Sequence, residues 1–229
     1  MRRILPFIVL LLTQTLTSRS QDTSSSHGRD TTSSHSQDTT SIKKDSIPWD
    51  EYHAVQAKLD AVMDQDQSIR KDYQVIINKY NSRSRQVDSI TKRMHHIDSS
   101  NLVEVKNVLD HQGWLGIDAI GEKANLALFL VIQHSDPATQ VKYLPMMRDA
   151  VKEGHAKPEH LALLEDRVLT NQGKPQLYGS QVHAGPGGKY VFYPIADEKN
   201  VNNRRGQMNL EPLEEYARSY NIDYHLPEQ

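Results

Sequence analysis

The sequence predicts a mainly α protein: a multi-helix bundle around a central apolar helix, with an N-terminal helical hairpin and one small β-hairpin near the C-terminus. Three observations carry this. Large residues recur every three or four positions from Leu59 to Ile97, the spacing of one helix face. The run Leu126–Ile132 is apolar on nearly every side, as a helix in the middle of a bundle is. Two β-prone arms flank the turn formers Gly185-Pro186-Gly187-Gly188.

The N-terminus is expected to be an export signal over residues 1–20. Arg2 and Arg3 precede the apolar run ILPFIVLLL, and Ser18 and Ser20 supply the small residues of a cleavage site. The run is too short to cross a bilayer, which takes about 20 apolar residues, so no stable span is expected once the signal is removed. A retained membrane anchor is the alternative. The mature chain is expected in the periplasm or outside the cell.

Residues 21–48 are expected to form a disordered Ser/Thr-rich linker. SQDTSSSH, GRDTTSSH and SQDTTSIK follow one another in blocks of eight, with no large aliphatic or aromatic residue before Ile42. Such a segment buries too little apolar area to offset its chain entropy. His27 and His35 lack fixed partners and read as parts of a solvated spacer. The chain has no cysteine, which removes disulfides, thiolate metal sites and cysteine catalysis together. Its formal charge of -2 shows no basic excess that would point to nucleic acid.

A single domain is expected over residues 49–229, divided into a helical hairpin (49–98), core helices (99–173) and a β-hairpin with C-terminal helices (174–229). The stripe of the hairpin holds Leu59, Val62, Ile69, Tyr73, Ile76, Tyr80, Val87, Ile90, Met94 and Ile97, interrupted by Asp66 and Arg83. The weak helix formers of NSRSR around Arg83 suit a fold-back. Asp66 on an apolar face needs a partner, and Arg70 stands one turn later. Ser99 or Ser100 is expected to cap a new helix through NLVEVKNVLDHQ, which Gly113 ends. The turn GWLG follows, with Trp114 plugging the core. The central helix then runs to His134. Asp136 caps the next helix with Pro137 at its first position, Pro145 is expected to kink it, and Gly154 stops it. A further helix starts at Pro158 and stops at Gly173. VNNRRGQMNLEPLEEYARSYNI reads as a short helix, a loop and a final helix.

Several runs together resemble a bacterial domain family found in secreted or envelope proteins and known only as a domain of unknown function. They are DQDQSIRK, LDHQGWLGIDAIGEKAN, FLVIQHSD, KYLPMMRDAVKEG, LALLEDRVLTNQGKPQLYGSQ, YPIADEKNVNNRRGQMNLEPLEEY and the terminal NIDY, in the family's order from about Leu59 to Tyr224. The resemblance implies a shared fold and polar motif set, and no reaction. The family often carries Asp where Asn202 stands and Trp where Tyr224 stands.

Polar residues inside apolar runs or tight turns are the functional candidates. Asp66, Arg70, Gln133, His134, Asp166, Arg167, Tyr178, Gln181 and Arg204 form the candidate ligand-binding set, with Gln67, Glu122 and Asp136 beside them in the sequence. If Asp66, His134, Asp166, Arg167 and Gln181 converge, they can hold an anionic or sugar-like ligand. His134 with an orienting carboxylate could also run acid–base chemistry on cell-envelope material. The competing reading is structural: a buried Arg–carboxylate pair in EDR, amides satisfying helix ends, and His134 or Gln133 facing Asp166 or Arg167 across a helix contact. A third possibility is a protein-interaction module docking through the 51–97 stripe. His95-His96 project about 100° apart on a helix and chelate poorly; His155 and His160 flank a loop and read as solvated. No metal, cofactor, metalloprotease motif, nucleophile elbow or phosphate loop is indicated.

N-terminal sequencing of the mature protein is expected to begin at Gln21. Met1 retained on cytoplasmic protein would overturn the export expectation.

Overall fold

A computed structural model describes residues 49–227. The expected signal (1–20) and linker (21–48) lie outside the described residues. Five helices form the bundle: α1 (Trp49–Lys79), α2 (Arg85–Gln112), α3 (Ile117–His134), α4 (Pro137–Lys152) and α5 (Pro158–Asn171). A two-stranded antiparallel hairpin follows, β1 (Val182–Ala184) with β2 (Tyr190–Phe192), in the register Val182↔Phe192, His183↔Val191 and Ala184↔Tyr190. Two seven-residue helices close the chain, α6 (Val201–Gln207) and α7 (Leu213–Ser219).

The predicted hairpin forms where NSRSR breaks the stripe. Ser84 caps α2 by accepting the Val87 N–H at 3.2 Å. Ile69, Val87, Ile90 and Met94 are buried, whereas Tyr73, Ile76, Tyr80 and Ile97 are half-buried, so the chain's own packing takes up much but not all of the stripe. Leu59 and Val62 reach further, into the main core with α3. One boundary differs from expectation: α2 runs unbroken through Ser99 and Ser100 to Gln112. The Ser99 hydroxyl donates back to the His95 carbonyl at 2.8 Å. A serine can satisfy itself that way inside a helix, so its presence alone does not start one.

The GWLG turn seats Trp114 and Leu115 in the core, as expected for Trp114. In α3 the first turn is offset at Gly121, whose φ of 78° is open to glycine and strained for other residues. Beyond it Ala124, Ala127, Leu128, Phe129, Val131 and Ile132 are buried, and Leu126 and Leu130 on the remaining face are half-buried against the same core. They pack with α1, α2, α4 and α5, which makes α3 the central element. Asn125, also buried, donates to the carbonyls of Leu115 and His155, each at 2.8 Å, and so ties the turns at that end of α3.

At the other end Asp136 caps α4, accepting from Ala138 and Thr139 N–H at 3.0 Å. The helix continues through Pro145 to Lys152 as a single assigned helix. His160 departs from its expected solvation. It is 5% exposed and stacks on Phe129 with ring centroids 4.5 Å apart. The apolar face of α5 carries it inward, and its flat ring fills the space over Phe129. Among the described residues no helix is long and apolar enough to cross a membrane.

Leu128→Ala is expected to cost about 2–5 kcal/mol in urea unfolding, the range for emptying a fully buried site. Val75→Ala, at a position 64% exposed, is expected to change it by less than about 0.5 kcal/mol.

Candidate functional site

The candidate residues divide into a saturated scaffold and a partly unsatisfied cluster. Asp166 belongs to the scaffold. It is fully buried, and its carboxylate accepts backbone N–H groups from Leu177 (2.7 Å), Tyr178 (3.1 Å) and Ser180 (2.9 Å). Burial pushes its carboxyl up, while these donors pull the other way. Gly179 lets the loop wrap so tightly: its φ is 72°, and a Cβ there would lie 2.8 Å from Leu213. The expected contact of Asp166 with His134 or Gln133 is therefore replaced by a backbone clamp. Tyr178 donates its hydroxyl to Glu165 at 3.0 Å. Arg204 spends its guanidinium on the carbonyls of Leu177, Ala196 and Asp197. Arg205, which the sequence reading did not single out, is buried with bonds to the carbonyls of Glu211 and Tyr178 and lies over the Tyr216 ring.

A second group gathers where α1 and α2 meet the end of α3. Asp66 and Arg70 are both 1% exposed. Arg70 Nη2 donates to Asp66 Oδ1 at 2.7 Å and to Asp98 Oδ1 at 2.8 Å; its Nε also faces Asp66. Gln67 Nε2 adds a bond to Asp66 at 2.9 Å. The expected intrahelical pair is thus part of a network that includes Asp98, on the inner side of α2. His134 Nδ1 lies 3.5 Å from Asp66 Oδ1, so the partner of His134 on this side is Asp66 rather than Asp166. Burial raises Asp66, but His134 and Arg70 outweigh it and hold the carboxyl well below its usual range. Burial and the positive charge of Arg70 bring His134 down to about 4 despite Asp66; Arg167 acts in the same direction. The ring is therefore neutral at pH 7.

Residues 53–228 match a family described as "Family of unknown function (DUF6624)". The chain belongs to that family. No curated protein and no solved structure matches it. Every residue of the scaffold and of the cluster falls within the DUF6624 span. Asn202, where the resemblance led one to expect an acid, ties α6 to α7. Its Oδ1 accepts the Leu213 N–H and its Nδ2 donates to Glu214, both at 2.8 Å. Aspartate could keep the first bond but would face Glu214 with like charge.

The remaining candidates of this DUF6624 domain meet at α5. Gln133 Nε2 and Gln181 Nε2 both point at the Leu163 carbonyl, at 3.4 and 3.5 Å. Arg167 stands one turn further on. Its Nε is buried without a hydrogen-bond partner, and among the described residues no carboxylate forms an ion pair with it. Burial works against its charge; the groups within electrostatic reach are the phenols of Tyr193, Tyr216 and Tyr220, which carry no charge near neutral pH. These tyrosines escaped the sequence reading because they lie beyond β2 and on α7, where helix or strand period gives no hint of a shared wall. Tyr216 and Tyr220 hydroxyls lie 3.2 Å apart, and Tyr216 is bonded to the Ser180 carbonyl at 2.9 Å. Among the described residues no three His, Asp or Glu side chains come together as a metal set.

The buried histidines set the acid limb of stability. His134 and His160 are each held near 4, below the ordinary value of 6.5. Between those values the unfolded chain binds more protons than the folded one, so acidification favours unfolding. Each can contribute on the order of 3 kcal/mol, fully present above about pH 6.5 and lost toward pH 4. Asp66 extends the loss below pH 4, its folded value being the lower one. The urea midpoint is expected to fall as pH goes from 6.5 to 4, and His134→Gln with His160→Phe to flatten that fall.

Proposed function

We propose that this protein is an exported helical domain that binds a small anionic ligand against Arg167, between the end of α3, α5 and the tyrosines of the C-terminal segment. One contrast carries the proposal. Arg70 and Arg205 are fully buried, and both are saturated by carboxylates or carbonyls. Arg167 is half-buried with its Nε fully enclosed, and among the described residues no carboxylate pairs with it. Withdrawing part of a guanidinium from water without a partner costs free energy that a bound anion would offset. His134, Gln133 and Gln181 add polar edges, while Asp66 with Arg70 fixes His134. Asp166, Tyr178 and Arg204 are left out of the ligand set because the backbone already occupies them. The arginine pair and short apolar run at the N-terminus support export, and an envelope ligand fits that location.

Acid–base chemistry on the bound ligand is the second reading. It is favoured by the neutral His134 beside an ionised Asp66, the composition of an oriented base. Docking of a partner through the hairpin stripe loses part of its support, since Ile69, Ile90 and Met94 are buried in the chain's own packing while Ile76 is half-buried. What remains there is an open groove of about 530 Å³ toward the hairpin tip, lined by Asp72, Val75, Ile76, Arg85, Ile90 and Arg93.

Arg167→Met tests the proposal by two readouts. Without ligand, the variant is expected to melt at the same temperature or higher, because a desolvated charge is replaced by an apolar chain of similar length. With an anion panel that stabilises the wild type, the variant is expected to show no shift. A loss of about 2 kcal/mol or more in the ligand-free variant would mean that Arg167 is structural.

A further inference from the structure

The helical hairpin runs on past the bundle it belongs to. α3 ends at His134, beside Asp66, while α1 continues to Lys79, about 20 Å further along its axis. α1 and α2 pack on each other and on α3, and in the distal part Val87, Ile90 and Met94 are buried outside the main core. This distal arm has a charge of its own. From Lys71 to Arg93 six Lys or Arg stand against two Asp, an excess of +4 in a chain of formal charge -2. Lys92 pairs with Asp88 at 2.8 Å; among the described residues Asp72, Arg85 and Arg93 form no ion pair. Those three side chains rim the open groove of about 530 Å³, whose apolar lining is Val75, Ile76 and Ile90. Val75 is 64% exposed and Ile76 half-buried, so a molecule in the groove can reach apolar surface directly.

The rim has the spacing of a helix surface. Arg85, Ser89 and Arg93 follow at i, i+4 and i+8 along one edge of α2, which sets the two arginines two turns, about 12 Å, apart. Asp72, Val75 and Ile76 follow at i, i+3 and i+4 along the facing edge of α1. A second copy is a poor occupant, because it brings the same positive excess. Residues 21–48 of this chain are poor as well, since Arg29, Lys43 and Lys44 nearly offset their four Asp. A flat lipid surface meets the rim and leaves the recess between the helices unfilled. A polynucleotide offers anions without an apolar face. An amphipathic helix supplies both a rod that fills a groove and side chains on either flank. We propose that the distal half of the hairpin docks an acidic amphipathic helix of a partner protein. Apolar residues at i, i+3 and i+7 of that helix lie on Val75 and Ile76, and acids two turns apart meet Arg85 and Arg93. A basic residue on the opposite flank meets Asp72 and fixes the direction in which the helix lies.

The experiment titrates two synthetic peptides of about 15 residues into the isotopically labelled full chain and follows the methyl resonances of Val75 and Ile76. Both peptides carry the same leucine stripe; glutamates flank it in one and lysines in the other. The glutamate peptide is expected to shift both methyl signals saturably and to bind about tenfold or more tighter than the lysine peptide. Arg85→Glu combined with Arg93→Glu, both at exposed positions, is expected to reverse that order, which a misfolded variant could not do. No saturable shift with the glutamate peptide overturns the proposal. Equal binding of the two peptides by the wild type does so too, as does a preference for glutamate that survives the double substitution. Phosphatidylglycerol vesicles and single-stranded DNA are titrated in parallel. Tighter binding of either one at the same methyl groups makes lipid or nucleic acid the occupant and overturns the helix. The wild-type comparison decides the matter even if the double variant does not fold.

Discussion

The burial of most of α3, with the face of Leu126 and Leu130 half-buried, is the constraint from which the rest follows. A helix end leaves carbonyls without intrahelical donors, and at the surface water supplies them. The C-terminal end of α3 is held between α4 and α5, so the protein must supply them. Gln140 does most of this: buried in α4, it donates to the carbonyls of Gln133 and Ser135 at 3.0 Å each, and Asn171 on α5 bonds its oxygen at 2.8 Å. Ser135 turns its hydroxyl back to Ile132. One apolar helix thereby dictates an amide on α4, an amide on α5 and a cap at Asp136. It also brings Gln133 and His134 into a desolvated place where their side chains need partners.

Two kinds of buried charge surround that place, and their energetics differ. Arg70 with Asp66 and Asp98 is a closed network, each charge facing an opposite one within 3 Å. Its carboxylates are not equivalent. Burial raises the Asp98 carboxyl, and the negative charge of Asp66 adds to that, whereas Asp66 takes most of the cationic contact and stays ionised. The network can therefore absorb a proton at Asp98 without breaking the Asp66–Arg70 bond that positions His134. Around Arg167 no such closure exists among the described residues.

Much of the fold was legible in the sequence, because period and caps act locally. The stripe from Leu59 to Ile97, the break at NSRSR, the Asp136-Pro137 start and the Gly-Pro-Gly-Gly hairpin each rest on neighbours within a few residues. The helix start assigned to Ser99 failed for the same reason: a serine that bonds its own i−4 carbonyl looks, in sequence, like one that caps. At the candidate site the sequence located the polar residues without their pairings. The Asp66–Arg70 bond was visible at its i,i+4 spacing. Asp98 comes from 28 positions further on, and the three tyrosines come from segments whose placement depends on the Asp166 clamp, a long-range bond with no sequence period.

The EDR run shows why adjacency misled. Consecutive helical residues project about 100° apart, so three charged neighbours serve three directions rather than one contact. Glu165 turns to Arg148 at 2.7 Å and to the Tyr178 hydroxyl. Asp166 turns to the loop at 177–180, where four carboxylate–backbone contacts hold the segment that leads into β1. Arg167 has neither acid as its partner, and its Nε is enclosed without a hydrogen bond. The carboxylate beside it in sequence cannot neutralise it, because the helix points the two apart and the backbone has already filled the acid. Geometry thus creates an isolated guanidinium from a run whose charges nearly balance on paper. The anion proposed above would supply the charge that this guanidinium lacks among the described residues.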